Sequence, residues 1–264
     1  MWIKEIPNNF VDKLSYSEHT IFLWKSETAP LYIMDNHLSA AWCWMQECDK
    51  EETYNFMHID HHEDLKGCGN TCIIDFLKRT PKISFKKYTE LEYKNHYTFK
   101  SFQWDNYIRA CHYLFPKWFD TKLFYTEEED EDEYGENLWG YPCFKKKNMR
   151  KESVCEDIKF YIRDAQKNKE SFIAKKIKDK KWIVNIDLDF FSYYGNEEDF
   201  NDSFIHNFAQ NINQAMNNIQ VITIAISPDC IYGNEMEEKW KNAIHILNIF
   251  KQEIKCMQDF NIKI

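Results

Sequence analysis

The order of apolar segments in this chain predicts an α/β fold with a mostly parallel central sheet. Two observations carry that reading. Short apolar runs with β-branched or aromatic residues recur along the sequence, and amphipathic helical patterns lie between them. Strands are expected at Thr20–Trp24, Leu31–Met34, Tyr54–Ile59, Lys122–Tyr125, Trp182–Ile186 and Val221–Ile226, where length and flanking residues favour strand over helix. A helix over Leu38–Cys48 follows the second strand, and Phe102–Leu114 places aromatics and aliphatics at helical spacing. Glu152–Asn168, Asp202–Asn217 and Glu235–Met257 complete the helices, with Asp202, Asn234 and Glu235 as helix-start residues. Strands alternating with helices imply a sheet covered on both faces. No internal repeat or domain boundary appears, so residues 1–264 are read as one catalytic-size domain.

Composition narrows the class. The chain has 264 residues, 44% of them apolar and 17% aromatic, which is ample for a buried core and argues against disorder. With 34 Lys and Arg against 43 Asp and Glu, the formal charge is −9, which disfavours nucleic-acid binding and suits a cationic partner. The segment MWIKEIPNNF is charged and lacks the apolar stretch of a signal peptide, and no apolar run approaches a membrane span. Nine cysteines, an odd number scattered over a large chain, read as reduced thiols in a cytoplasmic protein rather than a disulfide framework. Cys68 and Cys72 have no second pair at zinc-ribbon spacing and are read as ordinary thiols. The acidic run Glu127–Glu133 and the basic stretch Lys145–Lys151 are read first as solvated loops, with steering of a basic peptide as the functional alternative.

Three predicted strands stop at metal-ligand residues. The first gives Asp35-Asn36-His37, the next His58-Ile-Asp60-His61-His62-Glu63-Asp64, and the third Asp187-Leu188-Asp189. In open α/β sheets ligands bind outside the carboxyl ends of the strands, so all three clusters are expected at one place. Alternate residues of an extended segment share a side, so Asp60, His62 and Asp64 can converge if the backbone stays extended, as can Asp187 and Asp189. Four carboxylates packed together resist ionisation unless cations lie between them. With His37 and His62 they make six ligands, enough for two divalent ions, and carboxylates with a few imidazoles suit Mn²⁺. The alternative is a hydrogen-bonded polar seam, which would leave the acids without compensating Lys or Arg. On the same alternation His58 and His61 point away from His62, which favours core packing over a proton-transfer role.

His37, then Asp60-His-His62-Glu-Asp64, then Asp187-Leu-Asp189, in that order, resembles the binuclear manganese site of the arginase/agmatinase (ureohydrolase) family, within the arginase–deacetylase fold. The phrases HIDHHED and NIDLDFF look most like a divergent branch that includes the peptide arginases, which convert arginine in ribosomally made precursor peptides to ornithine and release urea. The resemblance implies a three-layer fold with one ion bound by His37, Asp60, Asp64 and Asp187. The second would be bound by Asp60, His62, Asp187 and Asp189, with Asp60 and Asp187 bridging both. It departs from arginases in having Met34-Asp35-Asn36-His37 where they carry Gly-Gly-Asp-His, and Asp187-Leu-Asp-Phe-Phe-Ser192 where their aspartate motif runs on to a further Asp and Pro. Deacetylases keep one zinc and lack a carboxylate at the position of Asp64, so Asp64 favours the two-metal state.

The implied activity is a Mn²⁺-dependent peptide arginase acting on an arginine-containing precursor peptide, with Asp64 carrying a proton to the leaving amine. Asp229, after the last strand, is the candidate for holding the guanidinium, because a carboxylate selects a planar cation through paired contacts; a turn or cap role is its alternative. His96 and His112 are open as proton shuttles, and homo-oligomeric assembly is admitted. The competing readings are another C–N hydrolase of the agmatinase, formiminoglutamase or deacetylase kind, and a metal-binding peptide-binding protein without turnover.

Overall fold

The computed structural model describes residues 1–5, 20–65, 71–80, 82–94, 98–126, 143–145, 152–164, 179–192 and 201–262. The acidic run, Cys68, His96 and nearly all of the basic stretch lie outside them. In chain order the strands are β1 Trp2–Lys4, β2 Leu23–Lys25, β3 Leu31–Met34, β4 Asn55–Ile59, β5 Glu92–Lys94, β6 Thr98–Lys100, β7 Lys122–Tyr125, β8 Cys143–Lys145, β9 Trp182–Asp187 and β10 Ile219–Ala225. The α-helices are α1 Ala40–Glu47, α2 Thr71–Arg79, α3 Phe85–Thr89, α4 Tyr107–Leu114, α5 Glu152–Asp157, α6 Asp202–Ala215 and α7 Met236–Glu253. Helix α5 continues as a π-helix over Ile158–Arg163.

Eight strands form one sheet in the order β1-β2-β3-β10-β9-β4-β7-β8, and β5 pairs with β6 in a separate hairpin. From β3 to β8 every pairing is parallel, and only β2 runs against its neighbours. The α/β class with a mostly parallel sheet is therefore what the chain forms. Strand alternation divides the core in two. Leu31, Ile33, Met57, Ile59, Val184, Ile186, Ile222 and Ile224 face α6 and α7. Tyr32, Met34, Phe56, Ile183, Val221 and Ala225 face α1 and α4. Burial on both faces is why these strands read as unbroken apolar runs in the sequence.

The two long helices are built from local rules. Asn201, rather than Asp202, caps α6 by accepting the Phe204 N–H at 2.9 Å, while Asp202 lies in the first turn. Its buried residues Ile205, Phe208, Ala209, Ile212 and Ala215 follow helical spacing. Helix α7 has Glu237 and Glu238 in its first turn and Lys251 in its last, which complements its dipole. Phe208 and Phe250 grip Phe191 with ring centres 5.0 and 5.5 Å away. That clasp holds the short 3₁₀ turn Leu188–Phe191, and with it Asp189, against the helices.

Several predicted boundaries move. The strand expected over Thr20–Trp24 is paired only over Leu23–Lys25, because Asp35 takes the Ile21 and Phe22 N–H groups that a ladder would use. The helix expected over Phe102–Leu114 begins at Tyr107, since Asn106 folds back to accept the Gln103 N–H at 2.9 Å. The helix expected over Glu235–Met257 ends at Glu253 and is followed by a 3₁₀ turn, Lys255–Met257. Among the described residues no helix is long and apolar enough to cross a membrane.

Candidate metal centre

The carboxyl ends of β3, β9 and β4 fall on the same edge of the sheet because β3, β10, β9 and β4 are consecutive parallel strands. Each end is shaped by its own polar residues. After β3, Asn36 caps the 3₁₀ turn His37–Ser39 by accepting the Leu38 N–H at 3.0 Å, and the Tyr88 hydroxyl donates to the Leu38 carbonyl at 2.7 Å. Asp35 is bound to the Ile21 and Phe22 N–H groups and to Asn36 Nδ2, so its carboxylate fixes the incoming chain. His37 is thereby presented to the acids, with 2% of its surface exposed.

Convergence after β4 comes from a turn and not from the extended backbone that the D-x-H-x-D spacing suggests. The strand stops at Ile59, Asp60 Oδ1 accepts the His62 N–H at 2.7 Å, and Asp64 takes a left-handed φ of 53°. A left-handed φ is uncommon for a residue with a Cβ. The expectation for His58 is corrected by parity, since residues 58, 60 and 62 share one side of an alternating segment. His58 Nε2 lies 3.5 Å from Asp60 Oδ2, so it faces the acids rather than away from them. His61 and Glu63 are buried beside the cluster. After β9, Asp187 Oδ1 accepts the Asp189 N–H at 3.1 Å, which draws both acids into one turn.

The predicted residues meet. His37 Nδ1 is 2.7 Å from Asp64 Oδ2 and 3.3 Å from Asp60 Oδ2, and His37 Nε2 is 3.5 Å from Asp187 Oδ2. His62 Nδ1 is 3.1 Å from Asp189 Oδ2 and 3.5 Å from Asp60 Oδ1. Three groups have donor atoms within 4.8 Å of one another: His37 with Asp60 and Asp187, His58 with Asp60 and Asp64, and His62 with Asp189 and Cys230. His37 Nε2, Asp60 Oδ2 and Asp189 Oδ2 are buried with no hydrogen-bond partner among the described residues. Burying such atoms without compensation is costly, and cations between them would supply it. The donor set of imidazoles and carboxylates therefore fits divalent ions.

Electrostatics point the same way. Burial, then Asp189, Asp64 and Asp187, push the Asp60 carboxyl well above its ordinary value. Burial and the Asp189 charge push Asp187 up to about 7. Burial alone would lower His37 and His62. The surrounding carboxylates overcome it, with Asp187 foremost for His37 and Asp189 for His62, and push them up to about 10 and about 12. Burial also opposes ionisation of Asp64, but the His37 hydrogen bond and charge outweigh it and hold Asp64 below its ordinary value. His58 is kept neutral by burial, at about 4.

A buried hydrogen-bond chain beneath the cluster was not anticipated from the sequence. Trp44 Nε1–H donates to Thr223 Oγ1 at 3.1 Å, and the Thr223 hydroxyl donates to Asn185 Oδ1 at 2.7 Å. Asn185 Nδ2 then donates to His58 Nδ1 at 2.9 Å and to the Tyr107 hydroxyl at 3.0 Å. The Tyr107 hydroxyl lies 3.0 Å from Asp64 Oδ2 and 2.9 Å from His37 Nδ1. An indole N–H can only donate, so the chain has one direction and delivers the phenol proton to Asp64 Oδ2. His58 accepts at Nδ1, which leaves its Nε2–H to donate to the His62 carbonyl at 3.1 Å. The readable trace of this chain was a polar Asn inside the apolar run Trp182–Asp187 and a Thr inside Ile219–Ala225, since polar groups in strands buried on both faces must find partners.

Tyr107→Phe is accordingly expected to weaken ion binding beside His37 and Asp64 by about 10- to 100-fold, the usual loss when a partner behind a ligand is removed. It should also cost about 1–3 kcal/mol of stability by leaving one Asn185 N–H without its acceptor. Calorimetric metal titration and urea unfolding read the two effects, and unchanged values in both would remove the chain from the site.

Other sequence candidates are placed as follows. His112 on α4 stacks on Phe119 and feels Lys122 at the amino end of β7, at the opposite edge of the sheet from the cluster, so the shuttle expectation is not met. Asp229 lies in the turn after β10, where its carbonyl accepts from Lys239 Nζ at 2.6 Å and its neighbour Cys230 reaches the cluster. Ser227, with a φ of 40°, ties this turn in by donating its hydroxyl to Asp187 Oδ2.

No protein-family model matches the chain, and no curated protein sequence matches it. Among solved structures it is similar to proclavaminate amidino hydrolase from Streptomyces clavuligerus, at 10% identity and a TM-score of 0.43, over 86% of this chain and 64% of that one. It is also similar to Helicobacter pylori arginase, at 13% identity and a TM-score of 0.45, over 85% of this chain and 72% of that one. The chain thus spans less than two thirds of the length of the first of these enzymes. Overlaps this partial fix neither a family nor a reaction, and the functional reading rests on the geometry of the cluster itself.

Proposed function

We propose that the chain is a metal-dependent hydrolase of the ureohydrolase kind, and that its substrate is a peptidyl arginine, converted to ornithine with release of urea. The observation that carries this reading is the meeting of His37, Asp60 and Asp187, from three separate strand ends, with donor atoms within 4.8 Å of one another. One ion would be held by His37, Asp60, Asp64 and Asp187, and a second by Asp60, His62, Asp187 and Asp189. Mn²⁺ suits this donor set. Two such ions, when bound, would activate a water for attack on a guanidinium carbon and stabilise the charge that develops there.

The chain's own groups have the following proposed parts. Asp60, near both His37 and His62, and Asp187, beside His37 and joined to the Asp189 N–H, would be shared. Tyr107 and His37 hold Asp64 Oδ2 in a fixed direction, which suits Asp64 for passing a proton to the departing amine. Asp229, beside the rim residue Cys230, would receive the guanidinium through paired hydrogen bonds. Addition of water and rupture of the bond between the guanidinium carbon and the side-chain nitrogen gives urea and the ornithine amine, with atoms balanced. The peptide preference is supported by the departures from arginase motifs at Met34–His37 and Asp187–Ser192 and by the −9 charge, which favours a cationic peptide over nucleic acid. A cytoplasmic location belongs to the same proposal.

Mass spectrometry on Arg-containing peptides and on free arginine, with Mn²⁺ and with a chelator, tests it. A metal-dependent loss of about 42 Da per arginine on peptides, with urea released, is the expected result of such hydrolysis. Turnover of free arginine alone would replace the peptide assignment with a conventional ureohydrolase. No change on either substrate would leave amide and formimino substrates as the reading to pursue.

A further inference from the structure

The turn after β10 brings a thiol to the cluster. Its shape is set by the Cys230 N–H donating to the Ser227 carbonyl at 3.0 Å, the Ile231 N–H to Pro228 at 3.3 Å, and the Tyr232 N–H to Ser192 at 3.1 Å. The last bond anchors the turn to the segment just after Asp189. The Cys230 sulfur, free and half-buried, then lies with the donor atoms of His62 and Asp189 inside a 4.8 Å span. Zinc-type ions bind sulfur at about 2.3 Å and imidazole nitrogen at about 2.0–2.1 Å, so ligand atoms around one ion fall within such a span. A second observation aims at the same point. Asp189 Oδ2 is buried, and although His62 Nδ1 lies 3.1 Å from it, the oxygen accepts no directed hydrogen bond among the described residues.

We propose that Cys230 is a ligand, so that His62, Asp189 and the Cys230 thiolate together form a sulfur-containing position for the second ion. The proposal rests on the metal-centre reading above and adds a donor that the three sequence motifs do not include. It makes the two positions chemically unequal. The ion beside His37 sees only nitrogen and oxygen, whereas the ion beside His62 gains a soft ligand that favours Zn²⁺ or Co²⁺ over Mn²⁺. Coordination replaces the S–H bond by a metal–sulfur bond and releases the proton to solvent, with no change of oxidation state. Cys43, Cys48 and Cys111 differ from Cys230 in kind, because they sit in the apolar layer around α1 and α4.

Co²⁺ titration of the metal-stripped full-length protein is the test. Wild type should bind two equivalents, one of them bringing a near-ultraviolet thiolate-to-cobalt charge-transfer band. Cys230→Ser should lose that band and bind the second ion at least about 10- to 100-fold more weakly, a loss that even outer partners produce. Cys230→Asp should regain two-ion binding without the band. Cys256→Ser, whose thiol contacts Ser26 beyond β2, should keep the band. Two bound ions with no such band in wild type, or a band retained in Cys230→Ser, would overturn the sulfur ligand and leave the centre standing. No Co²⁺ bound by wild type would overturn both.

Discussion

On the proposed function, Asp60→Ala is expected to lower peptidyl-arginine turnover by on the order of 10³-fold or more and to remove tightly bound metal, since stabilisation of the reacting charge would depend on both ions. Asp60 is 1% exposed and belongs to two of the three donor groups. Its Oδ1 accepts the His62 N–H, and its Oδ2 lies 3.3 Å from His37 and 3.5 Å from His58. Because Asp60 touches three imidazole-bearing residues, its loss unseats both proposed ion positions together. Asp60→Asn keeps the shape and the bond to His62 and removes only the charge, which separates loss of function from loss of fold. Elemental analysis of the purified variants beside the turnover assay decides the matter. Full activity with two ions retained would refute the assignment.

The second large effect is on stability. Metal-free protein should lose stability as pH rises from about 4 through and beyond neutrality, and divalent metal should cancel that loss. Burial, with the Asp189 charge, raises Asp187 to about 7 from an ordinary 3.8. Between those values the folded protein holds a proton that the unfolded chain has released, so stability falls as pH rises. Asp35, raised to about 7 by burial, has the same sign. His37 and His62, raised to about 10 and about 12 by the carboxylates, contribute stability that is full below about 6.5 and is lost as pH climbs through those values. His58, lowered by burial to about 4, opposes the trend only between about 4 and 6.5. A bound cation takes the place of the protons, so its affinity should increase from pH 6 to pH 8. Melting curves with and without chelator at several pH values, and calorimetry in buffers of different ionisation enthalpy, would measure the linkage. Equal melting temperatures at pH 6 and pH 8 without metal would contradict it.

Much of the sheet could be read from residues alone, because β3, β4, β9 and β10 are buried on both faces and each stops at a polar residue. Short elements gave no such trace. Strand β1 and the β5–β6 hairpin are three residues per strand, too few for a period to emerge. His37, Asp60, Asp187 and Asp189 stood out because charged or ligating groups at the end of an apolar run need a reason. His58 was misplaced because it stands two residues before Asp60, on the side that alternation assigns to the acids and not on the opposite one. Tyr107 and Cys230 were invisible for another cause. A tyrosine on a helix and a cysteine in a turn look ordinary until tertiary packing brings them beside Asp64 and His62.

The position of β9 and β10 in the sheet also bears on how the protein is made. As the ribosome delivers the chain, the first eight strands can assemble only as two separate ribbons, β1-β2-β3 and β4-β7-β8, beside the small hairpin. The strands that join the ribbons are synthesised after the other eight described strands, β9 pairing with β4 and β10 with β3. Until then Leu31–Met34 and Asn55–Ile59 present open edges that are apolar on both faces, the kind of template that invites aggregation. A nascent chain stalled before residue 219 is therefore expected to be insoluble as well as inactive. Metal supplied at that stage would find His37 and Asp60 on different ribbons, so it rewards completed folding rather than guiding it.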